Sequence, residues 1–330
     1  MRFFQNASYP FLEWRKRAYL ATALMLLVGI GAMAAHSAAG RAWLNYGIDF
    51  TGGTVVQVRF KQAAHAEDVR AAAVAAGHSD WEITQFGGAN EFEIRTPSRS
   101  FSQEAGRDAQ SRVRQAMGAR FGAENVTIAR TEAVGPRAGA ELQRNALWAI
   151  LLSFAVTLIY LWIRFEWRFS LAAIIATAHD IVITLGFLAL TRTEVSLGTV
   201  AAVLTVVGYS MHDTIIVFDR VREDLQKPRG GRTFIAILDK AINETLPRTI
   251  LTVGTVLATL LALLFFGGPV IYPFALVMVV GISIGTFSSV FVASPVLYEI
   301  QRRWPRKEPR REQAAQSTSR SREAAERVRV

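Results

Sequence analysis

Apolar residues dominate six stretches of this chain, and a long segment of mixed character separates the first from the rest. The runs are Ala18–Ala35, Leu147–Ile163, Leu171–Leu190, Ser196–Phe218, Thr249–Phe266 and Val270–Leu297. A helix needs about 20 mostly apolar residues to cross the hydrocarbon core of a bilayer. Each run therefore predicts a transmembrane helix. Buried helices of a large soluble core would not bring five such runs in close succession. The pattern predicts a polytopic α-helical membrane protein with six transmembrane helices.

The periodicity changes between residues 37 and 146. Thr54–Phe60 is rich in β-branched residues and reads as a strand. Glu67–Ala76 is alanine-rich and reads as a helix. Trp81–Gln85 and Glu91–Thr96 alternate like two strands about the turn Gly87-Gly88-Ala89-Asn90. Phe101–Phe121 reads as a helix starting near Ser102, and Asn125–Thr131 as a further strand. The order β-α-β-β-α-β is that of a ferredoxin-like α+β domain, inserted between helices 1 and 2. Such a domain suits docking, and nothing in it suggests a reaction centre. The expected division is a terminus 1–17, helix 1 at 18–36, the α+β domain at 37–146, helices 2–6 at 147–298 with a loop at 219–248, and a tail at 299–330. The tail is charged and predicts disorder or a surface helix. One helix, a soluble domain and five helices have the shape of half a larger transporter.

Charge orients these elements. Arg15, Lys16 and Arg17 precede the first run, Arg164 and Arg168 lie between the second and third, and Arg220, Arg222, Lys227, Arg229, Arg232, Lys240 and Arg248 between the fourth and fifth. Ten basic residues follow the sixth run, from Arg302 to Arg329. The opposite connections carry only Arg192. Residues 37–146 hold thirteen basic and twelve acidic residues, a balance of only +1, so nearly all of the formal net charge of +10 belongs elsewhere, chiefly to the other side. By the positive-inside rule both termini are cytoplasmic and the α+β domain is periplasmic, in a bacterial inner membrane. The basic ends suit anionic lipid head groups, and a nucleic-acid partner loses its main support. The first run is longer than the apolar core of a cleavable leader and is expected to stay as an anchor.

Composition narrows the chemistry. There is no cysteine, hence no disulfide or thiolate centre. There is no P-loop, nucleophile elbow or HExxH sequence, and His36, His65 and His78 lack metal-ligand spacing. The expectation is no enzyme, no metal and no cofactor. The candidates are instead ionisable residues inside apolar runs, which are costly in lipid. His179 and Asp180 lie near the middle of the third run. Asp213 lies in the fourth, with Tyr209 one turn before it on the same face and His212 about 100° round the helix. Arg248 opens the fifth. Asp213 is about 7–8 Å along the axis from the cytoplasmic end of its run, and an arginine at the neighbouring edge can extend inward over that distance. The two could pair and then part when the acid takes a proton. A structural reading stays open: Asp213 bonding a neighbouring helix, Arg248 as an anchor, and His179 and Asp180 satisfying one another. Gly281 and Gly285 have GxxxG spacing, followed by Ser288, Ser289 and Ser294, and read as a packing stripe.

Several segments together resemble the SecD/SecF family. They are Gly47-Ile48-Asp49-Phe50-Thr51-Gly52-Gly53-Thr54, a glycine-rich entry into a strand; Val134-Gly135-Pro136; Gly208-Tyr209-Ser210 with Asp213-Thr214; Phe218–Glu223; and Asn243–Ile250. The likeness covers about residues 10–300, and the single modest domain is similar to the smaller member of the family. The resemblance implies an RND-like fold, pairing with SecD, association with the SecYEG channel, and use of the proton-motive force to move preprotein, with the proton gradient as energy source. It implies proton-relay roles for Asp213 and Arg248. It implies structural roles for Gly47, Asp49, Phe50, Gly52, Gly53, Gly135 and Pro136. An RND-type small-molecule exporter half-unit and a scaffold without proton conduction are the alternatives.

Overall fold

The computed structural model describes residues 7–86, 88–96, 103–227, 232–268 and 270–305. Gly87 of the expected hairpin turn, the Ser102 helix start and the tail beyond residue 305 lie outside them.

Among the described residues, six helices are long and apolar enough to cross a membrane. The first is α1 (Arg15–Ala38). A two-residue strand β1 (Asn45–Tyr46), a single turn α2 (Ile48–Thr51) and β2 (Gly53–Phe60) follow it. Next come α3 (Ala66–Ala75), β3 (Glu82–Gln85), β4 (Glu91–Thr96), α4 (Gln103–Phe121) and β5 (Val126–Val134). The remaining spans are α5 (Pro136–Arg164), α6 (Trp167–Thr191), α7 (Leu197–Gln226), α8 (Phe234–Phe266) and α9 (Tyr272–Ser288), with β6 (Glu194–Val195) between α6 and α7. A π-helical turn, Ser289–Ala293, joins α9 to α10 (Ser294–Arg303), so the sixth span is one path with a register change inside it.

The strands β2 to β5 form one antiparallel sheet in the order β3-β4-β2-β5. The β3–β4 hairpin folds back beside β2 on one side and β5 docks on the other, which is the ferredoxin-like arrangement. Val56 and Val58 of β2, Phe92 and Ile94 of β4, and Val113 and Met117 of α4 form its core. Burying a side chain of this size stabilises by about 1.5–3 kcal/mol.

Packing among the spans obeys a different rule. Lipid is as apolar as leucine, so helices associate through close contact between small residues. A Cβ on Gly29 of α1 would lie 2.9 Å from the Cα of Gly186 on α6, so the two backbones touch there. Gly281 of α9 sits against Val206 of α7, and a Cβ on Gly285 would lie 2.8 Å from the Cβ of Ser210. The GxxxG stripe thus presses α9 onto α7. About half of the apolar window of α6, α7 and the α9–α10 span is buried, against 17%, 6% and 17% for α1, α5 and α8. The first group is the centre of the bundle; the second leaves apolar faces outward.

Helices outrun the hydropathy pattern at three places. Helix α5 starts at Pro136, well before the apolar run at Leu147. Most of the connection between Phe218 and Thr249 is helical, as the ends of α7 and α8. Its polar surface is laced by ion pairs: Arg220 with Glu223 and Glu244, and Lys227 and Lys240 each 3.0 Å from Asp224. Hydropathy reports where lipid ends, and these helices continue beyond that point.

The glycine-rich segment joins the sheet domain to the bundle. β1 pairs in parallel with β6, and Gly47 N–H donates to Val195 O (2.8 Å). Asp49 Oδ2 accepts from Leu197 N–H (2.8 Å) at the start of α7. A Cβ on Gly139 of α5 would lie 3.1 Å from Phe50 O. Gly52 and Gly53 then take φ values of +70° and +128°, which turn the chain into β2.

Candidate proton-relay site

The close approach of α9 to α7 decides the polar chemistry of the bundle. With no side chain at Gly285, Ser210 and the serines just after Gly285 come within reach of α6. Asp180 of α6, only 1% exposed, receives both. Its Oδ2 accepts from Ser210 Oγ (2.5 Å) and from Ser288 Oγ (2.8 Å). Its Oδ1 lies 2.9 Å from His179 Nδ1. Three helices are thereby pinned at one carboxylate. The π-helical turn begins at the residue after Ser288, and Ser294 Oγ donates across it to Ser289 O (3.0 Å). Such register changes recur at functional sites.

Asp213 lies one turn beyond Ser210 on α7 and is also 1% exposed. Its partners are far weaker. Thr286 Oγ1 is 3.3 Å from Asp213 Oδ2 but 2.9 Å from Ile282 O, and one hydroxyl proton serves both. Asp213 Oδ1 is buried with no hydrogen-bond partner among the described residues. The Tyr209 hydroxyl, one turn before it, and His179 Nε2 are in the same position. An unpartnered buried polar atom costs about 1–3 kcal/mol. Two carboxylates so close in the fold therefore differ sharply: Asp180 is fully engaged, and Asp213 keeps spare capacity to accept a proton.

Arg248 and Asp213 form no ion pair in this structure, although the sequence allows one. Arg248 follows Pro247 inside α8 and is exposed. His212 is likewise exposed, on another face of α7 from Asp213. Pro247 has no N–H to donate within the helix, which loosens α8 at the turn that carries Arg248. The glycine motif is not part of this site. Asp49 caps the opposite end of α7, about 24 Å from Asp213 along the axis at 1.5 Å per residue. Gly135 and Pro136 mark the start of α5.

Ser210, Thr286 and Ser288 are the site residues that sequence reasoning did not assign. For Ser288 a signal was present among the serines following the GxxxG stripe, but only the packed structure shows that it meets a carboxylate.

The family model "Protein export membrane protein SecD/SecF, C-terminal" matches residues 114–303, and that of the SecD/SecF GG motif matches residues 42–64. The chain belongs to the SecD/SecF family. It is similar to the protein translocase subunit SecF of Gemmatimonas aurantiaca, at 49% identity over 309 residues, 93% of this chain and 91% of that protein. The SecF of Escherichia coli O157:H7 is 36% identical over 292 residues, 88% of each chain. The crystal structure of SecDF, a translocon-associated membrane protein from Thermus thermophilus, overlays with a TM-score of 0.80 at 34% identity, covering 92% of this chain and 40% of that one. SecDF in a super-membrane-facing form overlays at 0.64 with 35% identity, covering 96% of this chain and 41% of that one. Family membership and the six spans make this a multi-pass protein of the bacterial inner membrane.

Proposed function

We propose that this chain is an accessory subunit of the Sec protein-export translocase, acting with SecD to couple the proton-motive force to preprotein movement. The observation that carries the proton coupling is Asp213: a carboxylate buried in the bundle, with one oxygen unpartnered and the other loosely held. A group of this kind takes up a proton without breaking a strong bond. Asp180, held by two serines and a histidine, is the fixed point against which the neighbouring helices move. Protonation of Asp213 would remove the charge that Arg248 feels, and the Pro247 turn gives α8 freedom to respond. Tyr209, whose buried hydroxyl is unpartnered among the described residues one turn before Asp213, is placed to pass a proton along the same helix face.

Partners follow the same reading. Helices α7, α8 and α9 pack on one another and expose polar positions within apolar spans: Thr205 and His212, Thr252, Thr255 and Thr259, and Ser283. Their hydroxyls bond their own helix carbonyls. Polar positions facing outward in a membrane suit a protein neighbour better than lipid, which supports SecD as the covering subunit. The SecYEG channel and the preprotein are the further partners, with anionic lipid at the basic cytoplasmic ends. Both termini are cytoplasmic and the sheet domain is periplasmic, on the charge bias of the flanks.

The test is preprotein export in cells whose only copy carries Asp213→Asn, with membrane levels of this chain and SecD measured in parallel. Loss of export at normal protein levels is expected. Normal export would remove proton coupling from Asp213 and leave a scaffold subunit.

A further inference from the structure

We propose that Arg95 and the carboxylates around it form a proton-responsive latch that fastens the sheet domain to the hairpin joining α6 and α7. Nothing in the relay reading requires it, and it stands at the other end of the spans. Arg95 of β4 is 2.9 Å from Glu194 of β6, 3.9 Å from Glu93 of its own strand and 4.0 Å from Glu82 of β3. Its guanidinium also donates to Tyr46 O (3.2 Å) of β1. One side chain therefore holds the sheet, the strand after α1 and the α6–α7 connection together. The hairpin it grips carries Asp180 on one arm and Asp213 on the other, so a change in docking at Glu194 reaches both.

Three carboxylates against one guanidinium leave the cluster two charges negative. Other charges face it from every side. Asp49 of α2 and Glu132 of β5 add repulsion at Glu194; Arg130 pairs with Glu132; and Arg192 and Asp80 line the adjoining cavity of about 330 Å³. Asp49 is already engaged at the start of α7. Arg95 and Glu82 of the cluster line this cavity and the Glu194 side chain is partly exposed, so protons have a path to it. Glu93 is pushed up by burial first and by the facing Glu194 second, with Arg95 and Gln57 opposing. Glu194 is pushed up by burial, against the pull of Arg95.

Docking creates this burial and repulsion, so the docked state binds the proton more tightly than the undocked one. Linkage then sets the sign. Acid favours docking. The advantage is complete below the ordinary glutamate range and declines as pH rises through the raised docked values. On the topology proposed above, the cluster lies on the side from which protons enter.

The chain has no cysteine, so two can be introduced cleanly. Spin labels at Gln62→Cys in the domain and Thr191→Cys at the end of α6, both exposed, report docking as a distance in the full chain in lipid nanodiscs. From about pH 5 to about pH 8 the wild type should pass from one narrow distance to a mixture with a longer population. Glu93→Gln, which keeps shape but cannot ionise, should hold the narrow distance to higher pH than the wild type, the remaining response belonging to Glu194. Arg95→Gln should enlarge the longer population at every pH. A wild-type distance that does not change with pH overturns the latch, and that arm needs no charge variant to fold. A Glu93→Gln response equal to the wild type overturns it as well. Neither readout depends on export, so failure of the latch and failure of the relay are separable.

Discussion

Asp180 on α6 and Ser288 at the end of α9 are joined by a 2.8 Å hydrogen bond that closes the centre of the bundle. With Ser210 Oγ on the same carboxylate oxygen, it makes Asp180 the tie point of three helices. Asp180→Ala strips both serines of their acceptor. The expected loss is about 1–3 kcal/mol of stability, read as a lower thermal midpoint of the purified chain in detergent. Asp180→Asn keeps one acceptor oxygen and should lose less.

Tyr209 offers the opposite test. Its hydroxyl is buried and unpartnered among the described residues, so Tyr209→Phe removes an unsatisfied group. Thermal stability should be unchanged or slightly raised, since deleting an unpaired polar atom is near neutral. A fall in export at undiminished stability would mark the hydroxyl as part of proton passage.

Gly29 and Gly186 hold α1 against α6 by backbone contact. Gly29→Leu should separate the two helices and lower accumulation of the chain in membranes, because a Cβ there already meets Gly186 Cα at 2.9 Å. Gly31→Leu is the matched control: a Cβ at Gly31 meets nothing within 4 Å, and accumulation should stay at the wild-type level. Immunoblots of membrane fractions distinguish the two.

Asn243 ties the segment before α1 to α8. Its Oδ1 accepts from Tyr9 N–H and its Nδ2 donates to Tyr9 O, both at 2.9 Å, and Leu12 N–H donates to Asp239 Oδ1 at 2.9 Å. Leu12 is fully buried behind them. Asn243→Ala should cost about 1–2 kcal/mol for the lost bonds and make the described segment before α1, residues 7–14, more accessible to protease. Limited proteolysis of the purified chain reads this directly.

The hydropathy pattern was enough to number and place the spans, because lipid demands length and apolarity of each one. Strand alternation was enough for the ferredoxin-like order, since the two-residue period and the Gly-rich turn are local. The two-residue bridge β1–β6 was out of reach, because its pairing joins positions about 150 residues apart and has no local signature. The polar starts of α5 and α8 were out of reach for the reason that they are helical outside lipid. At the site, Asp180, Asp213 and Tyr209 were visible as ionisable or polar residues in apolar runs. Their division of labour was not. It depends on Gly285 bringing α9 close enough for Ser288 to reach Asp180, while Thr286 spends its proton chiefly on Ile282 O.

On the proposed function, Asp213 gains and loses a proton each time this subunit works. The direct measurement is late-stage preprotein movement in proteoliposomes holding this chain, SecD and the SecYEG channel, driven by an imposed pH gradient after ATP is removed. Wild-type vesicles should respond to the gradient, and Asp213→Asn vesicles with equal protein content should not. Gradient-driven movement that persists with Asp213→Asn would contradict the account.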